Sequence, residues 1–234
     1  MFYKIDTIDI EGTEYPINQR NFNLNDIDLK IYDFYSSHSS LGTEITILKN
    51  EYGFEDIKFD KGDVFIDLGA NTGLLSFYVS KKFPFIQVNS YECNKILLKL
   101  LNFSIVENLS TNINLHSFGI GSETKIESFN IEFSNSGGSS FFKEESENNI
   151  KINTLMVDFE TAMSVYDKIK YLKMDIEGAE FSIFRKLIDS GSNFFERVEY
   201  FCLEFHNINN DYESNKEEII QYLNSFKNLH IIYQ

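Results

Sequence analysis

From Val64 onwards, short apolar runs alternate with stretches of helical periodicity, and that alternation admits few folds. Strands separated by helices cannot pair as tight hairpins. Each return must cross over, which gives a mainly parallel sheet covered on both faces. The expected strands are VFIDLG (64–69), IQVNSYE (86–92), NINLHSFGI (112–120), YLKMDI (171–176) and VEYFCLEFH (198–206), with NLHIIYQ closing the chain. Leu74, Leu75, Tyr78 and Val79 share one helical stripe. Similar helices are expected over 96–106, 181–188 and 214–226. The pattern therefore predicts an α/β fold with a doubly wound, mainly parallel sheet.

The first third has a different rhythm. KIDTIDI and EYPINQ flank Gly12 and read as a short hairpin, and a mixed stretch then leads to a helix over 43–52. TKIESFNIEFS (124–134) alternates apolar and polar residues, as an added strand near the third would. SNSGGSS (134–140) reads as a glycine–serine loop, and FKEESENN extends it as a polar excursion. With no repeat and no linker, the economical division is an N-terminal hairpin or cap over 1–42 and one α/β domain over 43–234.

At 234 residues and 42% hydrophobic content, the chain can bury a sizeable core. Its formal charge of −15 and lack of a basic patch argue against nucleic acid as a partner. Cys93 and Cys202 lie in apolar runs and read as buried thiols of a reducing compartment. The start, MFYKIDTIDIEG, has no basic segment followed by an apolar one, and no apolar run approaches the ~20 residues of a membrane span. A cytoplasmic location without a membrane span is the expectation. The oligomeric state is not legible.

In open parallel sheets, ligands bind at the carboxyl ends of the strands where the order reverses. The turn after the first strand reads Asp67-Leu68-Gly69-Ala70-Asn71-Thr72-Gly73. A dinucleotide fingerprint needs glycine where Asn71 stands, and a triphosphate loop needs a lysine after Gly73. Asp67 would repel a pyrophosphate but suits a cation or an amine. S-adenosylmethionine (SAM) offers both and carries no phosphate. Glu92, ending the second strand, is placed to accept hydrogen bonds from ribose hydroxyls.

DLGANTG followed by Glu92, and then YLKMDIEGAEFSIF (171–184), resembles the FkbM type of SAM-dependent methyltransferases. The D-x-E-G-x-E run is the more specific motif, and the resemblance covers roughly 43–206. It implies a class I, Rossmann-like methyltransferase fold, SAM as cofactor, and O-methylation of a sugar, glycan or small-metabolite hydroxyl. It further implies that Gly69, Ala70, Asn71 and Gly73 shape the turn around the methionine half of SAM, with Asp67 facing its polar end. Glu92 would take the ribose, and Phe118 and Gly119 the adenine. Asp175 would lie beside the transferred methyl. Cys93 and Asn94 follow Glu92 where the family often has proline, at the edge of the adenosine pocket.

Methyl transfer to a hydroxyl needs an aligned nucleophile and removal of its proton. Candidate groups converge at two strand ends: Asp175, Glu177 and Glu180 after the fourth, Glu204 and His206 after the fifth. Asp175, Glu177 and His206 are the expected catalytic set, with His206 as base. Glu180 equally suits a helix start. A divalent ion on Asp175, Glu204 and His206 is the alternative to the metal-free reading, because no ligand cluster of diagnostic spacing is present. Acceptor contacts are expected from the N-terminal cap, the glycine–serine loop and the tail. The rival readings are a nicotinamide-dependent reductase and an inactive methyltransferase-fold binding module.

Overall fold

The computed structural model describes residues 3–10, 12–133, 149–207 and 212–234. The chain begins as an antiparallel meander of β1 (Tyr3–Ile10), β2 (Thr13–Leu24) and β3 (Ile27–Phe34). The expected hairpin around Gly12 is its first half. The second turn uses Asn25 and Asp26, both in the left-handed region (φ 50° and 65°), the combination that lets a two-residue turn follow strand twist. Helix α1 (Ser39–Leu48) follows, starting earlier than the expected residue 43.

The main sheet is six-stranded and parallel throughout, in the order β6-β5-β4-β10-β11-β12. Its strands are β4 (Val64–Leu68), β5 (Gln87–Tyr91), β6 (Ile113–His116), β10 (Ile169–Met174), β11 (Val198–Leu203) and β12 (His230–Tyr233). The chain runs outward from β4 to β6, then returns to β10 beside β4 and runs outward the other way. The order therefore reverses between β4 and β10.

The run expected as one strand over 112–120 is broken at Ser117 and Phe118. After β6, β7 (Gly119–Gly121) leaves the main sheet and pairs with β9 (Asn149–Asp158), which also pairs with β8 (Lys125–Glu132). The added strand over 124–134 is thus real but belongs to a third sheet, with β7 and β9. The glycine–serine loop and most of the polar run after it lie outside the described residues.

Alternation along the strands sorts the core into two layers. Phe65 and Tyr171 face α2 (Leu74–Lys82) and the meander, packing with Phe22, Leu29, Phe54, Phe77 and Tyr78. Ile66, Leu68, Leu172 and Met174 face the other way, against α4 (Phe159–Met163), α5 (Glu180–Ser190) and α6 (Tyr212–Asn224) through Phe159, Phe184 and Leu223. α3 (Lys95–Asn108) covers the free edge of β3: Asn108 accepts from the Lys30 N–H and donates to its carbonyl, and Ser104 accepts from the Tyr32 N–H. No helix among the described residues is long and apolar enough to cross a membrane.

Candidate active site

The carboxyl ends of β4, β5, β10 and β11 open into a cavity of about 370 Å³. The turn after β4 closes one wall. The N–H groups of Gly69 and Ala70 both donate to the Tyr91 carbonyl (3.1 and 3.0 Å), and the Asp175 N–H donates to the Leu68 carbonyl (3.2 Å). Gly69 has φ +79°, and a Cβ there would overlap the Asp175 carbonyl oxygen. No other residue fits so close an approach. Asn71 is also left-handed (φ 52°), which turns its N–H onto Glu92 Oε2 at 2.8 Å.

Glu92 is 6% exposed, and its Oε1 accepts from the Asn94 N–H at 2.7 Å. Burial pushes its carboxyl above the usual range while the two amides pull it back. Asn94 caps α3 by accepting from the N–H groups of Ile96 and Leu97. Cys93, Phe118, Gly119 and Met156 continue the wall beyond Glu92. Burial pushes the Cys93 thiol well up, so it is a neutral wall group.

Between the two central strands lies a buried polar row. Lys173 stands opposite Asp67 in the β10–β4 register, and its ammonium lies 3.3 Å from Asp67 Oδ1 and 3.0 Å from Asp175 Oδ2. It also donates to the Gly69 carbonyl at 3.1 Å. Burial works against this ammonium, but Asp175 and Asp67 overcome it and hold Lys173 charged. Asp67 Oδ2 accepts from the Ser76 hydroxyl at 2.6 Å, and Ser76 meets Ser90 at 2.7 Å. Asp67 thus borders the cavity floor while being 0% exposed.

The far end of the cavity holds the groups expected for chemistry. His206 Nδ1 is 2.8 Å from Oε1 of Glu180, which is 0% exposed and also accepts from the Ile176 N–H. Nε2 of the same ring lies 3.6 Å from Asp175 Oδ1, 3.6 Å from Glu177 Oε2 and 3.9 Å from Glu204 Oε1. Burial raises the Glu177 carboxyl to about 7, against the pull of His206. For His206 burial acts downward, but the Glu180 hydrogen bond and the surrounding carboxylates raise it to about 9.

Of the residues expected to bind the cofactor, act in catalysis or hold the alternative ion, all but one border this cavity: Asp67, Gly69, Ala70, Asn71, Glu92, Cys93, Phe118, Gly119, Asp175, Glu177, Glu204 and His206 are on its wall. Gly73 is not. It caps α2 from behind the turn with φ +79°, and a Cβ there would overlap Leu101 and press on Phe77. The alternative metal set is also altered. Ligand atoms of Asp175, Glu177 and His206 lie within 4.8 Å of one another, so Glu177 takes the place given to Glu204. Sequence reading missed Lys173 and the role of Glu180 behind His206. Ser39, Thr43 and Tyr52 bring the N-terminal region to the same cavity.

A family profile described as the methyltransferase FkbM domain matches residues 62–229. This chain belongs to the FkbM methyltransferase family. It is accordingly a SAM-dependent methyltransferase, and SAM is its cofactor. Among solved structures, this family member is similar to a precorrin-6y C5,15-methyltransferase from Geobacter metallireducens GS-15. The TM-score is 0.40 at 11% identity, over 76% of this chain and 71% of that one. It is also similar to a Pyrococcus abyssi tRNA (uracil-54, C5)-methyltransferase in complex with S-adenosyl-L-homocysteine. There the TM-score is 0.36 at 11% identity, over 75% of this chain and 32% of that one. No curated protein matches the chain.

The residues present fit the family's cofactor. The Glu92 carboxylate is fixed by two backbone amides and keeps further lone pairs for ribose hydroxyls. Asp67 closes the floor beneath the glycine turn, its Oδ1 held 3.3 Å from the Lys173 ammonium.

Proposed function

We propose that this methyltransferase moves the SAM methyl to a hydroxyl oxygen of a neutral sugar, glycan or small metabolite. The observation that carries the reading is the placement of Asp175, Glu177 and His206 around one point of the cavity that also contains Glu92. SAM supplies a methyl on a sulfonium leaving group. The chain's own part is to seat the acceptor hydroxyl against Asp175 and Glu177, take its proton, and hold the oxygen in line with the methyl–sulfur bond. Lys173 fixes Asp175 from below, and Glu180 fixes the imidazole from behind.

Asp175, Glu177 and Glu204 make this end of the cavity acidic, which disfavours acceptors carrying phosphate or carboxylate. The formal charge of −15 likewise disfavours a nucleic-acid acceptor. The free thiols of Cys93 and Cys202 support a cytoplasmic location.

The test is transfer of labelled methyl from SAM to a panel of neutral sugars and small polyols, with the product bond identified by NMR. A methyl ether is expected, and Asp175→Asn should lower turnover about 10²-fold or more with the fold intact. Transfer to carbon or nitrogen alone would overturn the oxygen assignment. Firm SAM binding without turnover on any acceptor would favour a binding module instead.

A further inference from the structure

We infer that Asp175, Glu177 and His206 hold a hard divalent cation, and that the acceptor hydroxyl joins its coordination shell. This rests on the methyltransferase reading above and names how the same site handles the acceptor.

The first support is convergence. The three side chains come from the loop after β10, a left-handed residue (Glu177, φ 56°) and the loop after β11, yet their ligand atoms lie within 4.8 Å of one another. A cation at their centre would sit within bonding reach of all three after small side-chain rotations.

The second support is how the atoms are shared out. Asp175 gives Oδ2 to Lys173 and turns Oδ1 towards His206. His206 gives Nδ1 to Glu180 and turns Nε2 towards the carboxylates. A carboxylate behind a histidine is the usual support of a metal-ligating imidazole, since it fixes the tautomer and leaves the other nitrogen for the metal.

The third support lies outside the ligand set. Glu180 is 0% exposed, and its Oε2 is buried with no hydrogen-bond partner. Its Oε1 is paired with His206 at 2.8 Å, so this buried carboxylate depends on positive charge held at that imidazole. A cation on Nε2 would keep positive charge on that side of Glu180 in place of the ring's own proton.

Two carboxylate oxygens and one imidazole form an oxygen-rich set that suits Mn²⁺ or Mg²⁺ and leaves positions for water and acceptor oxygen. In the reaction, the hydroxyl O–H bond breaks and its proton passes to Glu204, which borders the cluster. The oxygen lone pair forms the new C–O bond as the methyl carbon–sulfur bond breaks, and that electron pair stays on sulfur. The products are a methyl ether and a neutral thioether.

The experiment uses the full chain and Mn²⁺ alone, with neither SAM nor acceptor present, followed by electron paramagnetic resonance and equilibrium dialysis. One saturable Mn²⁺ per chain is expected, displaced by Mg²⁺. Glu177→Gln and His206→Asn should each weaken it at least tenfold, with unchanged circular dichroism. Should either variant fold poorly, selective broadening of the wild-type His206 ring resonances by Mn²⁺ reads the same site. The inference is overturned by no saturable binding, by binding that neither variant alters, or by His206 resonances that stay sharp. If SAM binding and methyl-ether formation persist in EDTA, the cation falls and the proposed function stands. If Mn²⁺ binds as described but no hydroxyl is methylated, the ion-binding half stands and the oxygen-acceptor assignment fails, taking with it the acceptor's place in the shell.

Discussion

Glu92 ties two backbone segments together with one carboxylate. It accepts the N–H groups of Asn71 and Asn94, and so holds the glycine turn against the start of α3. We propose that its remaining lone pairs take the ribose of SAM. Glu92→Ala should therefore weaken SAM binding by about 10- to 100-fold, the loss of one or two hydrogen bonds to a charged group. Titration calorimetry checks this, and unchanged affinity would remove Glu92 from the ribose. The place of Glu92 on the cavity wall is legible in the sequence, because the acid ends a strand beside the glycine turn, at the carboxyl edge of a parallel sheet. That of Lys173 is not. A lysine inside YLKMD reads as a surface residue unless its shared face with Asp175 is noticed, and its other partner, Asp67, is brought to it only by strand pairing. Glu180 is visible as a candidate acid, but its role behind His206 is not: an acid opening a helix has an ordinary local explanation, and nothing local points to His206.

At the scale of elements, the join between the β4 turn and the end of β10 is the tightest point of the site. Gly69→Ala would place a side chain at φ +79° and against the Asp175 carbonyl. Backbone strain alone should cost about 1–2 kcal/mol, with the overlap adding to it. A urea-denaturation midpoint close to that of wild type would show that the two loops separate easily. The strand–helix alternation after Val64 was readable because one apolar period per element decides its type. What it cannot decide is which sheet a strand joins, so β7 reads as the end of β6 and β8 as a neighbour of it, although both pair with β9. β3 was missed although Leu29 and Ile31 alternate with polar residues, because Asn25 and Asp26 were not read as the hairpin turn they form.

For the whole molecule, the acidic cluster ties stability to pH. Glu177 sits at about 7 and His206 at about 9, in contact with Asp175, Glu180 and Glu204. Both values are raised over the unfolded ones, so the folded state binds these protons more tightly. The contribution of Glu177 is complete below 4.5 and lost as pH rises through about 7; that of His206 is complete below 6.5 and lost through about 9. In EDTA, the melting temperature should fall between pH 5 and 9.5, by on the order of 5 °C. Glu177→Gln should flatten the lower half of that slope. A melting temperature that rises with pH over this range would contradict the cluster as described.

The row formed by Asp67 and Lys173 also governs how the sheet aligns. Parallel strands built from interchangeable Ile, Leu, Phe and Met residues can slide past one another at little cost in apolar contact. Sliding β10 by one residue would turn Lys173 into the layer of Phe184 and Phe201 and leave Asp67 facing a hydrocarbon. The misaligned sheet would then carry two uncompensated buried charges. The charged pair on the cavity floor thus works as a key that admits a single register, and the strand ends meet at the cavity only in that register.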